Sequence, residues 1–256
     1  MDRRTSGVRT AVDVAEIAGG LAHELRNPLS TIMINLKLLA EGLQDPTTQP
    51  EDARRRALLK VEVLQREAQR LQNLFDDFLN LAGPCSLRLS LVDFRGVVSR
   101  LAEFLDPLLR ASGIHLTVAQ PTAPVIVEAD EDLLRQALLN LAINARQAMP
   151  EGGDLRIALG LDAEEAFLNV TDTGVGIAEQ DFERVLRPFF STKSRGSGLG
   201  LSITHRIVQE HGGSLTFSSE LGRGTTFTIR MPARGSEMAA RSEGAADPRG
   251  PEPFPA

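Results

Sequence analysis

A histidine stands in the segment GGLAHELRNPLS, followed at once by Glu24 and then by Asn27 and Pro28. An imidazole with one unprotonated nitrogen is a nucleophile available near neutral pH. A neighbouring carboxylate can accept the other ring N–H, hold the tautomer and raise the nucleophilicity. Glu24 is the candidate for that role. It lies about 100° round a helix from His23, so it must use its length or a bend in the helix. Pro28 supplies a reason to bend: it has no N–H, and its ring meets the carbonyl four residues back, that of Glu24. Asn27, four residues after His23, shares its face. A carboxamide donates and accepts without titrating near neutrality, which suits it to orient a water. The alternatives are a solvated helix face with an incidental histidine, and an Asn27 that only satisfies backbone opened by Pro28.

A second set of residues suits a nucleotide. In DLLRQALLNLAINARQAM, Asp132, Gln136, Asn140 and Asn144 recur every four residues, and Leu133, Leu134, Leu138, Leu141 and Ile143 supply the buried side. Carboxamides on one helix face make a core network, a partner surface, or oxygen ligands for a hard cation such as Mg²⁺. Downstream, DTGVGI places Asp172, Gly174 and Gly176 after a strand pattern. A carboxylate at a strand end can accept from an exocyclic amine, and the glycines let backbone approach a ring. PFFSTKSRGSGLGLSI then sets Lys193 and Arg195 among Gly196, Gly198 and Gly200 before a helix pattern. Free N–H groups at a glycine-rich helix start bind phosphate. The chain has no GxxxxGK[ST], so any nucleotide site here is not a P-loop.

The elements that must position these groups follow from periodicity. Ala18, Leu21 or Ala22, Leu25, Leu29, Ile32, Leu36, Leu39 and Leu43 alternate spacings of three and four, a heptad seam on one long helix. Pro46 and Pro50 interrupt it. A second seam runs through Ala57, Val61, Leu64, Ala68, Leu71, Phe75, Phe78 and Ala82, and Gly83 and Pro84 stop it. An antiparallel hairpin is predicted, and two helices alone leave much of each stripe wet. Dimerisation into a four-helix bundle is the simplest remedy. From about residue 85, SLRLSLV, IHLTVA, APVIVEA, GDLRIALG, AFLNVTD, SLTFSSE and TTFTIRM read as strands. Helices are predicted from Phe94 to Leu108, from Asp130 to Met149 and over LGLSITHRIVQEH. The expected fold class is α+β: the helical hairpin, then an α/β sandwich with a mixed sheet and helices on one face. The expected division is a lead over 1–14, the hairpin over 15–83, a domain with the nucleotide-binding residues over 84–232 and a disordered tail over 233–256.

HELRNP inside such a hairpin is similar to the H-box of sensor histidine kinases, over residues 15 to 82. NLxxNA, DxGxG, PFFSTK, GxGLGL and GRGTTFTIRMP, in that order, resemble the N-box, glycine boxes, F-box and final strands of the catalytic domain of that family. This is the Bergerat-type ATP fold shared with gyrase, the heat-shock ninety chaperones and the mismatch-repair ATPases. The resemblance implies that Asn144 ligates Mg²⁺ with Asn140 assisting, and that Asp172 accepts from the adenine amine beside Gly174 and Gly176. It also implies that Lys193 reaches the terminal phosphates, that Gly196, Gly198, Leu199 and Gly200 form the phosphate loop, and that Thr225 helps hold adenine through water. ATP would phosphorylate His23, which would pass the group to an aspartate of a response-regulator receiver domain, within a homodimer. Asn27 at its H-box position implies phosphatase activity as well. Many membrane-bound relatives carry a Lys and then an aromatic residue where this chain has Gln147 and Ala148. That pattern resembles the nitrogen-regulation-like branch.

Composition narrows the remaining classes. The net charge is −6, with no Trp, no Tyr and 11 Phe, a poor basis for nucleic-acid binding. One cysteine, Cys85, excludes an internal disulfide and a cysteine-based metal cluster. No apolar run is long enough to span a membrane and no secretory leader is evident, so a cytoplasmic protein without membrane insertion is expected. With a lead of about 15 residues, the signal is expected from a separate sensory protein or the tail. Two rival readings share the ATP fold: a water-directed ATPase or anti-sigma-type serine kinase, and a dimeric scaffold with a degenerate site. The first class usually has a Glu four residues before the metal-binding Asn. Here that residue is Asn140, which argues against it. His115, His205 and His211 read as structural, the last as a cation at the negative end of a helix dipole.

Overall fold

The heptad seams become two long helices. In the computed structural model, which describes residues 6–44, 49–83, 86–162, 164–193 and 196–234, α1 runs from Ser6 to Gln44 and α2 from Pro50 to Ala82. Pro50 opens α2 where a missing N–H costs nothing, and Glu51 and Asp52 complement the dipole of its first turn. Gly83 ends it, donating its N–H to the Leu79 carbonyl at 2.8 Å. Cys85 and residues 45–48 lie outside the described residues. The chain divides into two compact units: Met1–Cys85 with Asp181–Ile203, and Ser86–Gln180 with Thr204–Ala256.

Within the first unit the heptad seam divides in two. Leu25, Ile32 and Leu39 are half-buried, whereas Leu29, Leu36 and Leu43 remain 49%, 46% and 64% exposed. On α2, Ala57, Leu64, Leu71 and Phe78 are half-buried while Val61 and Phe75 stay exposed. Each helix therefore turns every second seam residue toward the other and leaves the alternate row uncovered, as one half of a larger bundle would. Helix α1 continues through Pro28, which is itself buried.

The second unit is built on strands β1 (Ser90–Asp93), β2 (Ile114–Ala119), β3 (Ile126–Ala129), β4 (Gly153–Asp162), β5 (Glu165–Asp172), β6 (Ser214–Glu220) and β7 (Gly224–Arg234). Its helices are α3 (Phe94–Ala111) and α4 (Glu131–Ala148), and α5 (Gly200–Glu210) enters it. The strand order is β1-β3-β7-β5-β4-β2, and β6 also pairs with β7. β2 and β4 are parallel and the remaining pairs antiparallel, so the sheet is mixed. Burial alternates along the strands: Leu155, Ile157 and Leu159 on β4, Ala166, Leu168 and Val170 on β5, Phe227, Ile229 and Met231 on β7. That face meets the buried stripes of α3 and α4, including Val97, Val98, Leu101, Leu134, Leu138 and Leu141. The helices cover one face, as the sequence predicts.

Several strand boundaries depart from expectation, two of them with a visible cause or consequence. β1 begins at Ser90 and not at Ser86, because the Arg88 N–H donates to the Asp130 carboxylate at 3.0 Å. β7 continues through Ala233 and Arg234, which pair with Val127 and Ile126 of β3.

Asp130 fixes the start of α4. Its Oδ1 accepts from the N–H groups of Asp132 and Leu133 at 3.2 Å each. Its own N–H donates to His211 Nε2 at 2.9 Å, while His211 Nδ1 lies 2.7 Å from the Ile207 carbonyl. These partners require a neutral ring protonated at Nδ1, so His211 is structural but is not the expected cation at a helix end. Burial alone would raise the pKa of Asp130. The N–H donors of Arg88, Leu133 and Asp132 outweigh it and hold the carboxyl below the usual carboxylate range. Asp130→Ala should therefore cost about 1 to 2 kcal/mol at neutral pH. Because the folded-state value is depressed, that difference persists above about pH 4 and shrinks as acid protonates the native carboxylate. Urea unfolding of both chains at pH 7 and pH 3 checks both parts.

Candidate functional site

Four helical residues hold the nucleophile's surroundings. His23 and Asn27 are exposed on α1 and Glu24 is half-buried between them. The Glu24 carboxylate lies 3.9 Å from the guanidinium of Arg70 on α2, a residue that the sequence reasoning missed. Across an antiparallel pair an Arg at this level is visible only once the register of the two helices is known. The Asn27 carbonyl accepts from the Thr31 hydroxyl at 3.2 Å, which occupies its backbone and leaves the side chain exposed. An exposed imidazole beside a carboxylate anchored on the neighbouring helix can act as an acceptor nucleophile for a partner approaching from outside.

In the second unit, strand register brings two of the expected adenine residues together. Asp172 ends β5 and pairs directly with Thr225 of β7. Both belong to the buried rows of their strands, and they are 5% and 6% exposed. Asp172 Oδ1 accepts from the Gly174 N–H at 2.9 Å. Thr225 Oγ1 lies 2.9 Å from Ser219 Oγ. Ser219, on β6, also donates to the Gly224 carbonyl at 2.9 Å and accepts from the Ile177 N–H at 2.8 Å. Sequence reasoning passed over Ser219, one serine in an alternating strand. Its importance arises from pairing with Thr225 across β6 and β7.

The glycines of this unit are demanded by close backbone. A Cβ on Gly174 would stand 2.6 Å from the Ala148 carbonyl oxygen, and one on Gly176 would stand 2.3 Å from that of Glu220. Gly176 also has a φ of 72°. The Val175 N–H donates to the Ala148 carbonyl at 3.0 Å, tying the turn to the end of α4. Asn140 and Asn144 are half-buried on that helix, whose other face holds Ala137, Leu141 and Ala145 in the core. A buried acceptor, a hydroxyl pair and carboxamides with part of their surface open suit a purine and a hard cation. Among the described residues no cluster of three or more His, Cys, Asp or Glu could hold a metal ion.

The remaining expected residues belong to the first unit. The Lys193 N–H donates to Ser191 Oγ at 3.1 Å, and the Gly196 N–H reaches the Lys193 carbonyl at 3.4 Å. Leu199 is fully buried, and its carbonyl accepts from Ser202 Oγ and the Ile203 N–H. Gly198 has a φ of 69°, and Gly200 begins α5. Arg195 lies outside the described residues. Among the described residues, no helix is long and apolar enough to cross a membrane.

Comparison with known proteins agrees with this geometry. Residues 129–235 match the histidine kinase-, DNA gyrase B- and HSP90-like ATPase family, and residues 13–83 match the His Kinase A phospho-acceptor domain. The sheet-and-helix body thus defines an ATPase-class domain, preceded by a phospho-acceptor hairpin. With the two in this order, the chain belongs to the sensor histidine kinases of two-component systems. It is 35% identical over 222 residues to the sensor histidine kinase ZraS of Escherichia coli strain K12, covering 86% of this chain and 46% of that protein. The chain thus spans about half the length of that curated relative. Full-length ShkA, solved in complex with AMPPNP, is 28% identical with a TM-score of 0.62, over 86% of this chain and 46% of that one. Histidine kinase ThkA, solved with the response regulator TrrA, shares the fold, at 24% identity and a TM-score of 0.72 over 91% and 66%.

Proposed function

We propose that this chain is an ATP-dependent protein-histidine kinase that phosphorylates His23 and passes the group to a response-regulator aspartate. The exposed His23, flanked by a Glu24 that is held from α2, is the observation that carries this reading. In the first step the bond between the γ-phosphorus and the bridging oxygen of ATP breaks and a phosphorus–nitrogen bond forms at His23, releasing ADP. Glu24 accepts the proton from the second ring nitrogen and supports the developing imidazolium. Asp172, Gly174, Gly176 and Thr225 would hold the adenine, and Lys193 with the Gly196–Gly200 segment the phosphates. Asn144, assisted by Asn140, would hold Mg²⁺, which when bound offsets charge on the transferring phosphoryl group. AMPPNP in the related ShkA supports a nucleotide in this fold.

In the second step the phosphorus–nitrogen bond breaks and a carboxylate oxygen of the receiver domain takes the phosphoryl group. The uncovered apolar row on the hairpin supports a homodimer. A groove of about 690 Å³ lined by Ala22, Leu25, Arg26, Leu29, Ser30, Met33 and Ile34 belongs to that face. The reading places the protein in the cytoplasm.

Asn27 then serves the reverse traffic. Exposed and on the face of His23, it can orient a water against the regulator's aspartyl phosphate. Asn27→Ala should keep His23 phosphorylation while slowing dephosphorylation of the regulator at least about tenfold. The test purifies receiver domains from the source organism, finds the one that takes label from this chain, and follows its decay with ADP present. Equal decay with mutant and parent would remove Asn27 from that role. No transfer to any receiver domain would count against the kinase reading itself.

A further inference from the structure

Gly19 and Gly20 are adjacent glycines in the interior of α1, and Gly20 comes three residues before His23. Glycine weakens a helix, so a pair in a long helix calls for a reason. The two differ in what surrounds them. A Cβ on Gly19 would meet nothing within 4 Å, whereas one on Gly20 would lie 2.3 Å from Cδ2 and 2.7 Å from Cγ of Phe189. The Phe189 ring therefore occupies the space a side chain at position 20 would fill. Phe189 has a φ of 61°, a backbone region that bulky residues avoid unless their surroundings impose it. A Cβ on Gly198 would stand 2.5 Å from the Phe189 carbonyl carbon and 2.7 Å from the Phe190 nitrogen. Arg184 lies over the Phe190 ring, 4.5 Å from its centroid. A line of direct contact thus runs from α1 through Phe189 to the glycine turn before α5, all within the first unit.

We infer that Phe189 is a positioning residue, and that the notch at Gly20 is its seat on the helix that carries the acceptor histidine. Three residues of helix rise place the seat about 4.5 Å along the axis from His23. Lys193 follows Phe189 by four residues, so seating the ring on α1 anchors the segment that carries the lysine assigned to the phosphates. The inference rests on the kinase reading for its purpose, but the contact can be tested without it.

The test compares Gly20→Ala with Gly19→Ala. Both remove a helix glycine and favour α1, so neither unfolds the hairpin. Only the methyl at position 20 expels the ring. His23 labelling by Gly20→Ala should fall at least about tenfold in kcat, with the KM for ATP within about twofold. Gly19→Ala should match the parent. Phe189→Ala should lose as much as Gly20→Ala, and the double variant no more than either, because both remove one contact. Phe189→Leu, which refills part of the notch, should recover part of the rate. Equal activity of Gly20→Ala and Gly19→Ala, or a double variant whose loss is the product of the two, overturns the inference.

A second readout needs no phosphorylation. Phe189→Trp gives the chain its one tryptophan, and acrylamide quenching reports whether position 189 is covered. Quenching should increase on adding Gly20→Ala and stay constant on adding Gly19→Ala. The same quenching in all three backgrounds overturns the seat. If the parent takes no label while quenching still depends on Gly20, the kinase reading fails and the positioning role fails with it, but the contact stands.

Discussion

His23→Gln should abolish acid-labile labelling from ATP, a loss of at least about a hundredfold that reaches background, with nucleotide affinity unchanged. The imidazole is exposed on α1. The residues assigned to adenine, Asp172 and Thr225, belong to paired strands β5 and β7 of the other unit. Removing the acceptor therefore takes nothing from the adenine's contacts. Equilibrium binding of a fluorescent ATP analogue, alongside labelling with γ-labelled ATP, checks both halves. Residual acid-labile label on the variant would point to another acceptor, and His205 and His211 are the alternatives to map. His211 is held at both ring nitrogens and buried, so it should carry none.

Asn144→Ala should lose Mg-dependent labelling by about a hundredfold or more, the scale expected when a charge-stabilising contact at a transferring phosphoryl group is removed. The fold should survive. Helix α4 is fixed by Leu134, Ala137, Leu138, Leu141, Ala142 and Ala145 in the core and by Asp130 at its start. Asn144 is half-buried, and alanine is the better helix former. Circular dichroism identical to the parent, with labelling lost, supports a ligand role. Loss of helical signal would show that the carboxamide was structural, and the metal assignment would fall with it.

What could be read from the residues, and what could not, divides along physical lines. Periodicity survives folding, so the two seams and the alternating strands were legible, and so was the covered face of the sheet. Asp172 was legible because a carboxylate and two glycines end a strand. Its pairing with Thr225 was not, because register across β5 and β7 depends on the whole strand length. Ser219 was hidden for the same reason. Arg70 beside Glu24 depends on how two helices align over many turns. Local turn chemistry hid the late start of β1, where Asp130 takes a backbone N–H that a strand would otherwise use. His211 was misjudged in its charge, since its tautomer is set by Asp130, 81 residues away in sequence. Nothing in the sequence marked Gly20, because what it faces is a ring from residue 189.

A histidine kinase differs from a water-directed ATPase and from a serine kinase in where the phosphate goes, and this can be measured in one experiment. The full chain is incubated with Mg²⁺ and γ-labelled ATP, digested with trypsin, and the label is located. Label is expected on the peptide of residues 10–26, between Arg9 and Arg26, lost in acid and retained in base. Label stable to acid on a serine or threonine, or label released only as inorganic phosphate with none on the chain, would contradict it.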